Sequence, residues 1–339
     1  MSPASSAKTW LLQLFANFTA ANHNPADAPA ALTAEPAQPQ FRTDTDSSDT
    51  LTLPDGRNLG YAQYGSLNGR PIFFVHGFPG SRLEGAGFHA LGLEFGARVI
   101  AVDRPGIGWS SPHPNRTLLD FPKDLEHLAD HLGLDRYSVL GISGGGPSAL
   151  ACARAMPSNK LRCVSLVCAM GPPDIGMSGA DLLHKLGFPY GFRYAPLAVT
   201  RWFWQNDILG RLNLTDEQRL KIMLRQPAGH EKDIAFMKSA WPPLSLRSSR
   251  ESFSQGFEGI WQDGKLMCME FGFRIEEIRH DLPVDLWYGK LDTFVPPNHG
   301  VQIAARLGEN AHLRLVDETH ASIVINQIKD IFEDLTRRT

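Results

Sequence analysis

The sequence predicts an α/β protein built on a mostly parallel, doubly wound sheet, with a helical segment inserted late in the chain. Three observations carry this reading. Apolar runs of strand length recur along the chain, helical patterns lie between several of them, and residues 171–281 show helical patterns but no buried strand. Strands that alternate with helices close most simply as parallel βαβ units.

The elements follow in order. Residues 51–53 and 59–64 flank Pro54-Asp55-Gly56, so two strand-like runs around turn residues predict a hairpin. The run at 72–75 is continuously apolar, as expected of a strand covered on both faces of a parallel sheet, and 99–102 repeats the type. Residues 137–140, 164–167, 284–288 and 313–316 continue the series. Between strands, Phe121, Leu125, Leu128 and Leu132 share one face of a helix that begins near Asp120, where Pro122 is tolerated in the first turn.

The 339 residues allow about two units of roughly 150 residues, or one large domain with an insertion. Hydrophobic residues at 42% and charged residues at 20% exclude collagen-like, wholly disordered and disulfide-scaffold classes. With 33 Lys and Arg against 36 Asp and Glu, the chain offers no basic field, so no nucleic acid is expected as a partner. Cys152, Cys163, Cys168 and Cys268 form no CxxC pair and read as buried reduced thiols, which points to a reducing compartment, the cytoplasm. No apolar run approaches the 18 or so residues of a membrane span, and no transmembrane segment is expected.

Residues 22–48 are rich in Ala, Pro, Asp and Thr without periodicity and read as a disordered leader, preceded by a stretch from Trp10 to Phe18 that could form a short amphipathic helix. Lys8 is the only Lys or Arg ahead of that stretch, and no clear cleavage site follows it, so a targeting peptide is not expected. The expected division is therefore a leader at 1–48, an α/β core from 49–170 and 282–339, and a helical cap at 171–281. Aromatics such as Phe188, Trp202, Trp204 and Trp261 fill that cap. The oligomeric state is left open by the sequence.

One pattern carries chemistry. Gly141-Ile142-Ser143-Gly144-Gly145 reads G-x-S-x-G, a short motif that gains meaning from its context of a strand before it and a helix opening at its glycines and stopping before Pro157. A serine on so sharp a turn exposes its oxygen, and residues two positions to either side must be small. The helix N-terminus behind it places partial positive charge where an oxyanion would form.

On these residues the chain resembles the α/β-hydrolase superfamily, in its serine-nucleophile branch with a helical cap, from about Asp49 to the C-terminus. The resemblance implies further parts in fixed order. His76-Gly77-Phe78-Pro79-Gly80-Ser81 corresponds to the oxyanion loop after the third strand, so Phe78 and Gly144 would supply the two backbone N–H donors. Residues 103–110, Asp-Arg-Pro-Gly-Ile-Gly-Trp-Ser, match the turn after the next strand and are assigned a structural role. Asp292, after the strand at 284–288, is the expected acid, with Asp174 and Asp317 as competitors. His320, after the last strand, is the expected base, and His76 is expected to be structural.

The resemblance thus implies Ser143 as nucleophile, His320 as general base and Asp292 as its orienting carboxylate, acting through an acyl-enzyme. Serine at the elbow argues against epoxide hydrolase and dehalogenase chemistry, which need a carboxylate there. The expected substrate is a fairly apolar small molecule with an ester, thioester or lactone bond, met by Phe78 and Ile142 and by cap aromatics. The same triad also serves carbon–carbon hydrolases, cyclases and acyltransferases, and some small-molecule receptors retain it. No metal-ligand cluster or dinucleotide fingerprint stands out, Gly106-x-Gly108 lacking a third glycine, so no cofactor is expected.

Overall fold

The computed structural model describes residues 44–226 and 228–339. Eight strands form a single sheet: β1 (Ser48–Thr52), β2 (Asn58–Gly65), β3 (Arg70–Val75), β4 (Ala97–Val102), β5 (Tyr137–Ile142), β6 (Leu161–Val167), β7 (Val284–Gly289) and β8 (Ala311–Val316), in the order β1-β2-β4-β3-β5-β6-β7-β8. β1 and β2 pair antiparallel, as do β2 and β4, and every later pairing is parallel. Each strand-like run in the sequence is a strand of this sheet.

Period-two alternation distributes the side chains between two cores. Phe73, Val75, Ile100, Val102 and Val139 join one cluster, whereas Ile72, Phe74, Val99, Ala101 and Leu140 join the cluster on the opposite face. The first face is covered by α2 (Asp120–His131), α3 (Gly146–Ala155) and α10 (Asn298–Leu307), the second by α1 (His89–Glu94), α8 (Trp241–Ser252), α11 (Ser322–Asn326) and α12 (Ile328–Arg338). In α2 the buried residues include Phe121, Leu125 and Leu128, with Asp120 in the first turn.

Between β6 and β7 the described chain holds no strand. It runs through α4 (Leu182–Leu186), a wide helical turn at Gly187–Phe192, α5 (Leu197–Asn206), α6 (Asp216–Arg225), α7 (Asp233–Lys238), α8 and α9 (Glu258–Cys268). A third cluster of Ile107, Trp204, Phe253 and Ile260 gathers Phe78, Phe192 and Phe203 around it.

Three expectations on boundaries differ from what the chain does. The proposed leader ended at residue 48, but Ser48 already pairs with Ala62 in β1, and the remainder of that segment up to residue 43, including Trp10 to Phe18, lies outside the described residues. The cap was expected to reach residue 281, yet Phe271, Ile275 and Ile278 are buried in the first core cluster under α3 and α10. α8 likewise packs Leu244 into the second cluster, so it braces the sheet as well as the cap.

The strand order changes direction at β3, which pairs with β4 on one side and β5 on the other. In open parallel sheets the crevice outside the carboxyl ends of such strands is where ligands sit. His76 to Phe78 leave β3 there, and Ser143 leaves β5.

Candidate active site

Ser143 sits at the tip of a turn with φ +53°, a left-handed conformation that a non-glycine residue adopts at a cost of order 1–3 kcal/mol. The surrounding glycines explain how the turn fits. A Cβ on Gly141 would lie 2.5 Å from Ala149 Cβ, and one on Gly145 only 2.3 Å from the Val75 carbonyl oxygen. The G-x-S-x-G spacing is therefore a packing requirement between β5, β3 and α3.

His320 lies in the loop between β8 and α11. Its Nε2 is 3.0 Å from Ser143 Oγ, and its Nδ1 is 2.7 Å from Asp292 Oδ2. Asp292, fully buried at its side chain, accepts at Oδ1 from the N–H groups of Phe294 (2.8 Å) and Val295 (2.9 Å), which fixes the carboxylate's direction. Since Asp292 accepts from Nδ1–H, Nε2 of the neutral ring is left as acceptor for the Ser143 hydroxyl. Burial opposes charge on His320, but the Asp292 carboxylate outweighs it, with a smaller contribution from Asp233, and holds the imidazole pKa above its ordinary value of 6.5. The two competing carboxylates lie elsewhere: Asp174 is half-exposed and paired with Arg306, and Asp317 is exposed.

The backbones of Phe78 and Gly144 meet beside the elbow. A Cβ on Gly144 would fall 3.2 Å from Phe78 N and 2.5 Å from Phe78 Cβ, so the two backbones approach where no side chain fits. His76 and Gly77 are clamped from two sides. Arg104 donates to the carbonyls of both, and its guanidinium pairs with Asp263 of α9 at 2.8 Å, which Arg116 also contacts at 2.8 Å. Glu84 accepts from Gly77 N–H at 3.2 Å and from the Ser248 hydroxyl at 3.2 Å; burial pushes its carboxyl up to about 7. His76 is buried and held neutral, donating from Nδ1 to the Gly77 carbonyl.

The turn at 103–110 organises this region: the Asp103 carboxylate accepts from Arg82 N at 2.7 Å and Trp109 N at 2.9 Å and pairs with the Arg82 guanidinium. Cys168, at φ +46° beyond β6, brings its sulfur within 4.8 Å of ligating atoms of Asp292 and His320. Burial drives its thiol pKa well above the ordinary value, so it is a neutral neighbour of the acid. The loop carrying His320 is tied by Ser322, which donates to Glu318 at 2.5 Å, and by Thr319, which donates to Asp233 of α7.

Ile142 shares a sheet face with Leu140, two residues earlier, and its half-buried side chain packs with the second core cluster. Phe78 meets the cap: its ring lies 5.3 Å from Phe192 and 5.7 Å from Trp204, edge to face. Phe294 stacks between His184 of α4, at 4.3 Å, and His320, at 5.2 Å. A small cleft of about 60 Å³, partly open to solvent, lies past Met170 and Met267 between β6, α9 and the wide turn.

A serine, an imidazole and a carboxylate so joined can move the serine proton to Nε2 as the oxygen attacks. The sequence model of the alpha/beta hydrolase fold matches residues 70–326. The chain belongs to the α/β-hydrolase family. Over 224 residues it is 29% identical to an uncharacterized hydrolase, YcgS, of Bacillus subtilis (strain 168), covering 62% of this chain and 70% of that one. A proline iminopeptidase of Arabidopsis thaliana shares 33% identity over 114 residues, 33% of this chain and 30% of the plant protein's length. Among solved structures, an esterase from Exiguobacterium antarcticum superposes with a TM-score of 0.57 at 18% identity, covering 85% of this chain and 97% of that one, a likeness of fold. No helix among the described residues is long and apolar enough to cross a membrane.

Asp263 and Glu84 went unassigned in the sequence, whereas Arg104 was given a structural role in the 103–110 turn and Cys168 was read as a buried thiol. Arg104 stood inside a turn motif already singled out, and its charge within an apolar region was the available signal. Asp263 carried none, being one of two acids in a helix far along the chain.

Proposed function

We propose that this α/β-hydrolase is a cofactor-free serine hydrolase that cleaves an ester-like bond of a small, largely apolar molecule through an acyl-enzyme. The observation that carries the proposal is the unbroken hydrogen-bond series from Ser143 through His320 to Asp292. In the proposed reaction His320 accepts the proton of Ser143 as Oγ attacks the substrate carbonyl. Asp292 keeps Nδ1 protonated and stabilises the imidazolium that forms. The N–H groups of Phe78 and Gly144 receive the tetrahedral oxyanion, a contribution of about 3 kcal/mol per donor. His320 returns the proton to the leaving group, and water then enters by the same route to release the acid.

The aromatic contacts of Phe78 with Phe192 and Trp204, and the methionines of the adjoining cleft, support an apolar acyl group. Pre-steady-state hydrolysis of p-nitrophenyl esters tests the proposal. A burst of nitrophenol equal to the enzyme concentration, absent in Ser143→Ala, is expected. Turnover that persists in Ser143→Ala would overturn it.

A further inference from the structure

The cleft beside the elbow holds one ionised group. Met170, Met177, Phe188 and Met267 make its walls apolar, and Arg193, which follows the wide turn at Gly187–Phe192, enters it half-buried. The other polar residues there are neutral at physiological pH. His299 accepts at Nδ1 from Gly171 N–H at 3.0 Å, and burial pushes its pKa down to about 4. Burial pushes the Cys268 thiol up to about 12.

Each fully buried arginine among the described residues has an acid. Arg82 meets Asp103 and Glu251, Arg104 and Arg116 share Asp263, and Arg219 meets Asp216. Arg193 has no carboxylate within 4 Å among the described residues; its recorded contact is the face of Tyr194 at 5.5 Å. A partly desolvated guanidinium in an apolar cleft is costly unless an anion meets it. Two residues that line the cleft adjoin the elbow. Met170 N–H donates to the Ser143 carbonyl at 3.0 Å, and Met267 Sδ lies 3.1 Å from the place a Cβ on Gly144 would occupy.

We propose that Arg193 is a specificity-determining residue that receives a carboxylate carried by the substrate, several bonds away from the scissile carbonyl. This rests on the serine-hydrolase reading and narrows it to monoanionic substrates: an apolar chain crosses the methionine-lined cleft, its reactive carbonyl at Ser143 and its carboxylate at the guanidinium. The planar fork of arginine suits a carboxylate in two-point contact. A substrate with a protonated amine at that end meets a like charge instead.

The test compares three p-nitrophenyl esters of matched chain length, with a methyl, a carboxylate or an ammonium end: the hexanoate, the adipate monoester and the 6-aminohexanoate. The native protein is expected to turn over the adipate monoester with kcat/KM roughly tenfold or more above the hexanoate, and the aminohexanoate least well. Arg193→Gln should lower the adipate-to-hexanoate ratio of kcat/KM about tenfold, chiefly through KM, and Arg193→Lys should restore part of it. A ratio unchanged by Arg193→Gln, or a native preference for the ammonium ester, would overturn the proposal. Calorimetric titration of Ser143→Ala with adipate and with hexanoate reads the same preference without turnover. Tighter binding of adipate that Arg193→Gln erases supports the assignment, and equal binding refutes it. Absence of turnover of all three esters would instead count against the serine-hydrolase reading, while the titration still decides the role of Arg193.

Discussion

Replacing Gly144 by alanine tests the proposed oxyanion pair of Phe78 and Gly144. The added Cβ would stand 2.5 Å from Phe78 Cβ, where ordinary carbon contacts begin near 3.4 Å, and 3.2 Å from Phe78 N. Phe78 must therefore retreat by about 0.9 Å, and its Cβ is held to the main chain, so the loop moves with it. An N–H···O bond of about 2.9 Å stretched by that amount is lost. The expected cost is that of one oxyanion donor, about 10²- to 10³-fold in kcat with KM little changed. The assay is steady-state hydrolysis of a p-nitrophenyl ester alongside thermal denaturation. The variant should melt cooperatively, because the clash lies at the edge of the cap and not within the sheet. A kcat within tenfold of the native value in a folded Gly144→Ala protein would refute the assignment of Phe78 and Gly144 as donors.

Further outcomes follow from the same geometry. Asp292→Asn should lower kcat by about 10⁴-fold, because the amide favours the wrong imidazole tautomer, and should lower the His320 pKa as read by NMR of the ring; a pKa that stays raised would assign the shift to another group. Glu84, whose carboxyl burial raises to about 7, contributes stability that is fully present below its unfolded value near 4.5 and is lost as pH rises through 7. The melting temperature of the native protein should therefore fall relative to Glu84→Gln between pH 5 and pH 8, and parallel curves would contradict this. Arg104→Met leaves the Asp263 carboxylate with Arg116 alone and frees the carbonyls of His76 and Gly77; urea denaturation should show a loss of about 3–5 kcal/mol.

The central strands were legible because each carries a compact apolar run that two-sided burial selects regardless of neighbours, whereas β1 and β2 were legible through the turn residues between them. Ser143 was legible because the turn that exposes it demands glycines at fixed offsets, which the close approaches at Gly141 and Gly145 make physical. His320 and Asp292 were legible only through strand order and family resemblance, since the hydrogen bond from Ser143 to His320 joins residues 177 positions apart. The Arg104 and Asp263 pair spans 159 positions with no motif at its far end, and nothing local distinguishes Asp263 from a solvated acid. The strand persists through Ile142, so alternation sends its side chain to the helical layer.

The central claim is that Ser143 is an activated nucleophile, and covalent labelling by a fluorophosphonate probe tests it most directly. The adduct should map to Ser143 by peptide mass spectrometry, and both Ser143→Ala and His320→Ala should abolish it. A folded native protein that takes up no label, or labelling that survives in His320→Ala at the native rate, would contradict the account.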